Sequence, residues 1–245
     1  MTYCVGMRLD QGLVFMSDTR TNAGLDNISV FRKMHSWEVP GERVIMMMTA
    51  GNLATTQAVV SLLEERTKAP SDRSPSILNA PSMFQVAQIV AETLKDVIAE
   101  QADSGERSDS AFNGTVILGG QIADSVTRLF LIYPEGNFIE ASDETPFFQI
   151  GETKYGRPIL VRAFDSSMSF EYAVKLLILS FDSTIKANLS VGPPLDLQLY
   201  SEGQLTLRPT IRFEPDNPYF NALSDGWGSA LKGAVDSLPE IDLPE

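Results

Sequence analysis

The chain has 245 residues, 43% hydrophobic and 21% charged, with 32 acidic against 19 basic side chains and a net charge of −13. This is the composition of a soluble globular protein with room for one large domain or two small ones, and its acidity argues against nucleic acid or an anionic membrane surface as partner. A single cysteine and a single histidine exclude an intrachain disulfide and any thiolate or imidazole metal cluster, so no metal or cofactor is expected, and no apolar run approaches the ~20 residues that span a bilayer.

The chain opens Met1-Thr2-Tyr3-Cys4-Val5-Gly6, without a charged leader or an apolar signal core, which fits a cytoplasmic location. Thr2 is small enough for an aminopeptidase to remove Met1, leaving a hydroxyl nucleophile and a free α-amine in one residue. An α-amine titrates near roughly 7.7–8.0, so a useful fraction is a neutral base at physiological pH. Threonine after methionine is common, and an ordinary strand start is the plain alternative. Residues 3–9 and 13–17 read as strands around the turn Asp10-Gln11-Gly12, the second ending in the polar run Ser17-Asp18-Thr19-Arg20. Residues 22–27 read as a loop, and residues 28–31 and 34–37 as short strands with Lys33 between them. Pro40-Gly41 marks a turn before Val44-Ile45-Met46-Met47-Met48. That run lacks polar alternation, which leaves it fully buried or ambiguous, with core packing the usual task of methionine. His35 would have to serve any Ser-His-Asp or Cys-His site. The chain has no G-x-S-x-G elbow, and His35 reads as a structural bystander.

Asn52 is a plausible N-cap for a helix over 52–66, and a proline-rich stretch over 67–82 reads as a loop. Val86, Val90, Leu94, Val97 and Ile98 recur at helical spacing over 83–101, and residues 102–110 are polar. Strands are expected at 113–121, 127–133, 138–141 and 147–150. Two helices follow, one over 151–164 with Pro158 in its first turn and one over 169–187. Residues 195–200 and 204–207 read as a last hairpin around Glu202-Gly203. No proline-rich hinge separates two cores, so one domain over 1–245 is expected. Strands, two helices, strands, two helices and strands is the order of an α+β, four-layer α/β/β/α sandwich of two antiparallel sheets. From Phe213 onward an extension over 213–245 carries Leu223, Trp227, Leu231 and Val235 near helical spacing, weakened by Gly226, Gly228 and Gly233. It either caps a sheet edge or serves subunit contacts.

Four features stand at a characteristic spacing: Thr2 at the start, G-x-x-x-x-S-D-x-R from Gly12 to Arg20, Lys33 in Phe31-Arg32-Lys33-Met34, and Thr49-Ala50-Gly51. Together they resemble the proteasome β-type threonine peptidases, which are N-terminal nucleophile hydrolases, and within them the bacterial ancestral β-subunit (Anbu) branch. The likeness covers most of the chain and is densest over 1–56. It implies the same sandwich fold and a site with Thr2 as nucleophile and its α-amine as general base. In that site Lys33 stabilises charge, Asp18 holds the lysine, and the Gly51 amide is the oxyanion donor. Taken singly each has a plain alternative: Asp18 and Arg20 as a surface pair on one strand face, Lys33 as a solvated lysine, Gly51 as a turn leading a helix.

The family's Gly-Ser-Gly and Asp-x-x-Ser stretches, which steady the threonine amine, match Gly151-Glu152-Thr153-Lys154 and Ala187-Asn188-Leu189-Ser190 here. Serine and aspartate are both missing from their usual places. Arg20, Asn188 and Ser190 are carried as supporting residues, and Thr21, Asn22, Ala23, Asn52 and Leu53 as pocket residues. Three functions follow: a threonine peptidase for peptides or unfolded proteins inside a homo-oligomeric ring or open helical assembly, a narrow amidase or acyl-transfer enzyme, and a non-catalytic assembly protein. An ATPase or other accessory partner is left open, as are the physiological substrate and its cleavage specificity.

Overall fold

Alternation along the first strand sets the layering. Tyr3, Val5 and Met7 pack toward one core and Cys4 toward another, and all four are fully buried. The computed structural model describes residues 2–22, 28–68, 73–103 and 112–241. Its strands are β1 (Tyr3–Leu9), β2 (Gly12–Asp18), β3 (Arg20–Asn22), β4 (Ile28–Val30), β5 (Met34–Val39), β6 (Arg43–Gly51), β7 (Gly114–Ile122), β8 (Arg128–Ile132), β9 (Phe138–Glu140), β10 (Phe147–Gly151), β11 (Leu195–Ser201) and β12 (Ile211–Phe213). Its helices are α1 (Leu53–Lys68), α2 (Met83–Asp103), α3 (Arg157–Ala163), α4 (Phe170–Ala187) and α5 (Pro218–Asp236).

One antiparallel sheet runs β10-β1-β2-β11-β12 and the other β5-β6-β7-β8-β9, with β3-β4 as a separate pair. Cys4, Leu13 and Phe15 of the first sheet meet Val44, Met46, Met48 and Ile117 of the second in the core between them. Ile45, Met47 and Val116 turn outward to pack with Val59, Leu63, Val90 and Leu94 of α1 and α2. Val5, Met7, Val14 and Met16 pack outward against Leu160 of α3 and Ala173, Leu177 and Phe181 of α4. The order is the expected α/β/β/α sandwich. The run from Val44 to Met48 lacks alternation because both of its faces are buried. Burying each such side chain contributes roughly 1.5–3 kcal/mol.

The caps are as the residue types dictate. The Asn52 side chain accepts from Thr55 N at 3.2 Å, Ser169 Oγ from Tyr172 N at 3.2 Å, and Asn217 Oδ1 from Phe220 N at 3.0 Å. The last hairpin differs from expectation. Residues 204–207 form no strand, because Leu207 N donates to Glu38 Oε2 at 2.8 Å and Leu205 O accepts from Gly41 N at 3.0 Å. These bonds draw the segment across to the β5–β6 turn, and β12 pairs with β11 in its place. The extension forms a helix despite its glycines. It lies against α4, with Phe220 and Leu223 packed on the core beneath, so it covers the outer helices and not a sheet edge. The loop expected over 22–27, the polar stretch over 102–110 and the last residues of the chain fall largely outside the described residues.

Candidate active site

Thr2 enters β1 between two neighbours, β2 and β10, and is 8% exposed. The next residue anchors it: Tyr3 N donates to Asp18 Oδ1 at 3.0 Å. Asp18 ends β2 and is fully buried. Lys33 Nζ, in the segment between β4 and β5, donates to the same Oδ1 at 2.7 Å and to the Arg20 carbonyl at 2.6 Å. Gly192 N reaches Asp18 Oδ2 at 3.4 Å. Burial pushes the Asp18 carboxyl upward, against the pull of the Lys33 ammonium and of the Tyr3 and Gly192 amides. Lys33 is itself fixed from the other sheet, its carbonyl accepting from Thr49 N at 3.0 Å.

Thr2, Lys33 and Gly51 line one cleft of about 740 Å³ between the two sheets' ends and α1, joined by Thr21, Leu53 and Gly151. Gly51 closes β6 with φ +122°, and a methyl group there would overlap the Asn113 carbonyl, so the turn that presents its backbone to the cleft requires glycine. Gly151, at φ +83°, is held the same way against the Thr2 carbonyl. His35 also lines this cleft, where burial and the nearby Arg32 charge push it down to about 4. It is a neutral wall residue at physiological pH.

The remaining candidates form a second cluster. Arg20 turns its guanidinium away to the Leu189 carbonyl, 2.9 Å from Nη1, and packs over Gly192. Asn188 caps α4, and its Nδ2 donates to Glu152 Oε2 at 3.1 Å while its Oδ1 accepts from Ser190 N at 3.0 Å. Ser190 thus takes part through its backbone amide. Glu152, given no role of its own in the sequence reading, is buried, and its N–H donates to the Thr2 carbonyl at 2.7 Å. Its position directly after a strand that ends in glycine was the available signal. Of the expected pocket residues, Thr21 and Leu53 line the cleft and Asn52 caps α1; Ala23 lies outside the described residues.

Comparison with known proteins bears on this arrangement. The model of the Proteasome subunit family matches residues 2–196. Among solved structures, Anbu (ancestral beta-subunit) from Yersinia bercovieri is 44% identical with a TM-score of 0.91, over 99% of this chain and 100% of that one. An Anbu (Gly-1) mutant from Hyphomicrobium sp. strain MC1 is 46% identical with a TM-score of 0.91, over 99% and 100%. The Anbu complex from Pseudomonas aeruginosa, a helical assembly, is 43% identical with a TM-score of 0.91, over 98% of each chain. No curated protein matches the sequence.

Proposed function

Because the chain belongs to the proteasome subunit family and stands with its Anbu members, we propose that Thr2, freed of Met1, is the nucleophile of a hydrolase acting on peptide bonds. Its hydroxyl oxygen attacks the carbonyl carbon as the α-amine takes the proton, directly or through a water. The resulting oxyanion is held by the Gly51 N–H, a contact of roughly 2.7–4 kcal/mol in the transition state. Collapse expels the amine, which leaves with the proton the α-ammonium returns, and an ester remains on Thr2. Water then hydrolyses the ester with the α-amine again as base. The Lys33 ammonium, held in place by Asp18, favours the developing alkoxide.

The observation that carries this reading is the buried Lys33–Asp18 pair, 2.7 Å apart, set beneath the cleft that Thr2, Lys33 and Gly51 share. The narrow amidase remains the second reading, favoured by Glu152 and Asn188 standing where the family places serine and aspartate. The site lies within a single domain over 1–245 whose residues 213–245 are an extension, in a cytoplasmic protein that self-associates. The helical assembly of the Pseudomonas aeruginosa relative supports self-association, as does an apolar groove of about 470 Å³ where Trp227 and Leu231 of α5 meet α3 and α4. A β-lactone probe tests the chemistry. The expected adduct sits on Thr2 of protein lacking Met1 and is abolished in Thr2→Ala; an adduct on Cys4 or a serine would overturn the assignment.

A further inference from the structure

Four acidic side chains are buried among the described residues: Asp18, Glu152, Asp182 and Asp196. Three of them hold a cation, Asp18 with Lys33 at 2.7 Å, Asp182 with Lys186 at 3.0 Å and Asp196 with Arg212 at 2.7 Å. Glu152 holds none. Among the described residues its oxygens accept from amides, Asn188 Nδ2 at 3.1 Å and, at longer reach, Lys154 N at 3.4 Å. An amide orients a carboxylate without cancelling its charge, and a carboxylate withdrawn from water calls for an opposite charge nearby.

That charge arises one position away. The register Tyr3↔Gly151 sets Glu152 across from Thr2, and the Glu152 N–H already holds the Thr2 carbonyl at 2.7 Å. Loss of Met1 converts the Thr2 nitrogen from a neutral amide into an ammonium. The other charged groups of this region are engaged elsewhere or line the cleft. Lys33 is paired with Asp18, and the Arg20 guanidinium is turned to the Leu189 carbonyl. Arg32 is an exposed cation on the cleft wall and Glu64 borders the adjoining cavity. His35 is neutral above about 4, and burial keeps Tyr3 and Cys4 protonated.

We infer that Glu152, oriented by Asn188, is the counter-ion of the α-ammonium that Thr2 gains when Met1 is removed, a positioning residue for the amine that serves as base. The carboxylate keeps the amine protonated to higher pH and fixes its direction. This rests on the reading of Thr2 as nucleophile, yet its test needs only the exposed amine. Full-length protein shown by intact mass to lack Met1 is pulsed with acetic anhydride from mildly acid to alkaline pH, and acetylation of the Thr2 amine is read in the N-terminal peptide by mass spectrometry. Glu152→Gln is expected to lower the midpoint by about one unit, the low end for an opposite charge within a few ångströms, giving roughly tenfold faster acetylation below both midpoints. Glu152→Ser, a smaller neutral replacement, should show the same fall, and Glu152→Asp should stay near the native midpoint. Native midpoints in the two neutral variants overturn the inference. A shifted midpoint in protein that takes no β-lactone on Thr2 upholds the counter-ion and overturns the nucleophile reading instead.

Discussion

Two buried carboxylates flank the start of the chain, and they are held in opposite ways. Asp18 is met by an ammonium and two backbone amides, so its charge is cancelled inside the fold. Among the described residues Glu152 is met by amides, which fix its direction without cancelling its charge. The first is therefore a finished structural unit that tolerates little change. The second lies across the sheet from Thr2, where the counter-ion role proposed above would use the charge the amides leave unanswered.

Breaking the Asp18 side has the largest expected effect. Lys33→Met leaves a buried carboxylate without its cation, and unfolding in urea should show a loss of about 3–5 kcal/mol. Adding Asp18→Asn should recover much of that loss, since removing both charges avoids the stranded one. A double variant no more stable than the single would show that the pair does not carry the stability of this corner.

Next in size is the cleft wall above that pair. His35 is pushed down to about 4 from 6.5 in the fold, so the folded state resists its protonation. The stability this gives is fully present above 6.5 and is lost as pH falls toward 4. At ~1.4 kcal/mol per unit the loss is about 3.5 kcal/mol at most. Urea midpoints across this window should fall less steeply in His35→Gln; parallel curves would place the titration elsewhere.

Smallest is the other side. Asn188→Ala removes one hydrogen bond to Glu152 and one to Ser190 N, and should cost about 1–3 kcal/mol in thermal or urea unfolding. Its effect should appear mainly in the rate of β-lactone labelling at Thr2. A variant that labels at the native rate would reduce Asn188 to a helix cap.

These two sides were unequally legible in the sequence. Asp18 and Lys33 lie within a short stretch whose spacing carries the family resemblance, and it was the resemblance that paired them; singly each had a plain reading. Glu152 and Asn188 are separated by α3 and α4, and only the packing of α4 on the first sheet joins them. From the sequence they could be seen as departures from a pattern and not as a pair. The fold divides similarly. A hairpin turn, the Asn52 cap and apolar helical spacing placed β1, α1 and α4 closely, whereas the segment over 204–207 went astray because its partners, Glu38 and Gly41, belong to the opposite sheet and its turn.

The position of β1 inside its sheet carries one more consequence. β1 is an interior strand, and its partners are spread along the chain: Asp18 is near, Gly151 far behind it, and Gly192, which completes the grip on Asp18, farther still. Pairings of such sequence separation form slowly. The proposed nucleophile is therefore seated late in folding, once segments as far along the chain as Gly151 and Gly192 have closed on the strand that carries it.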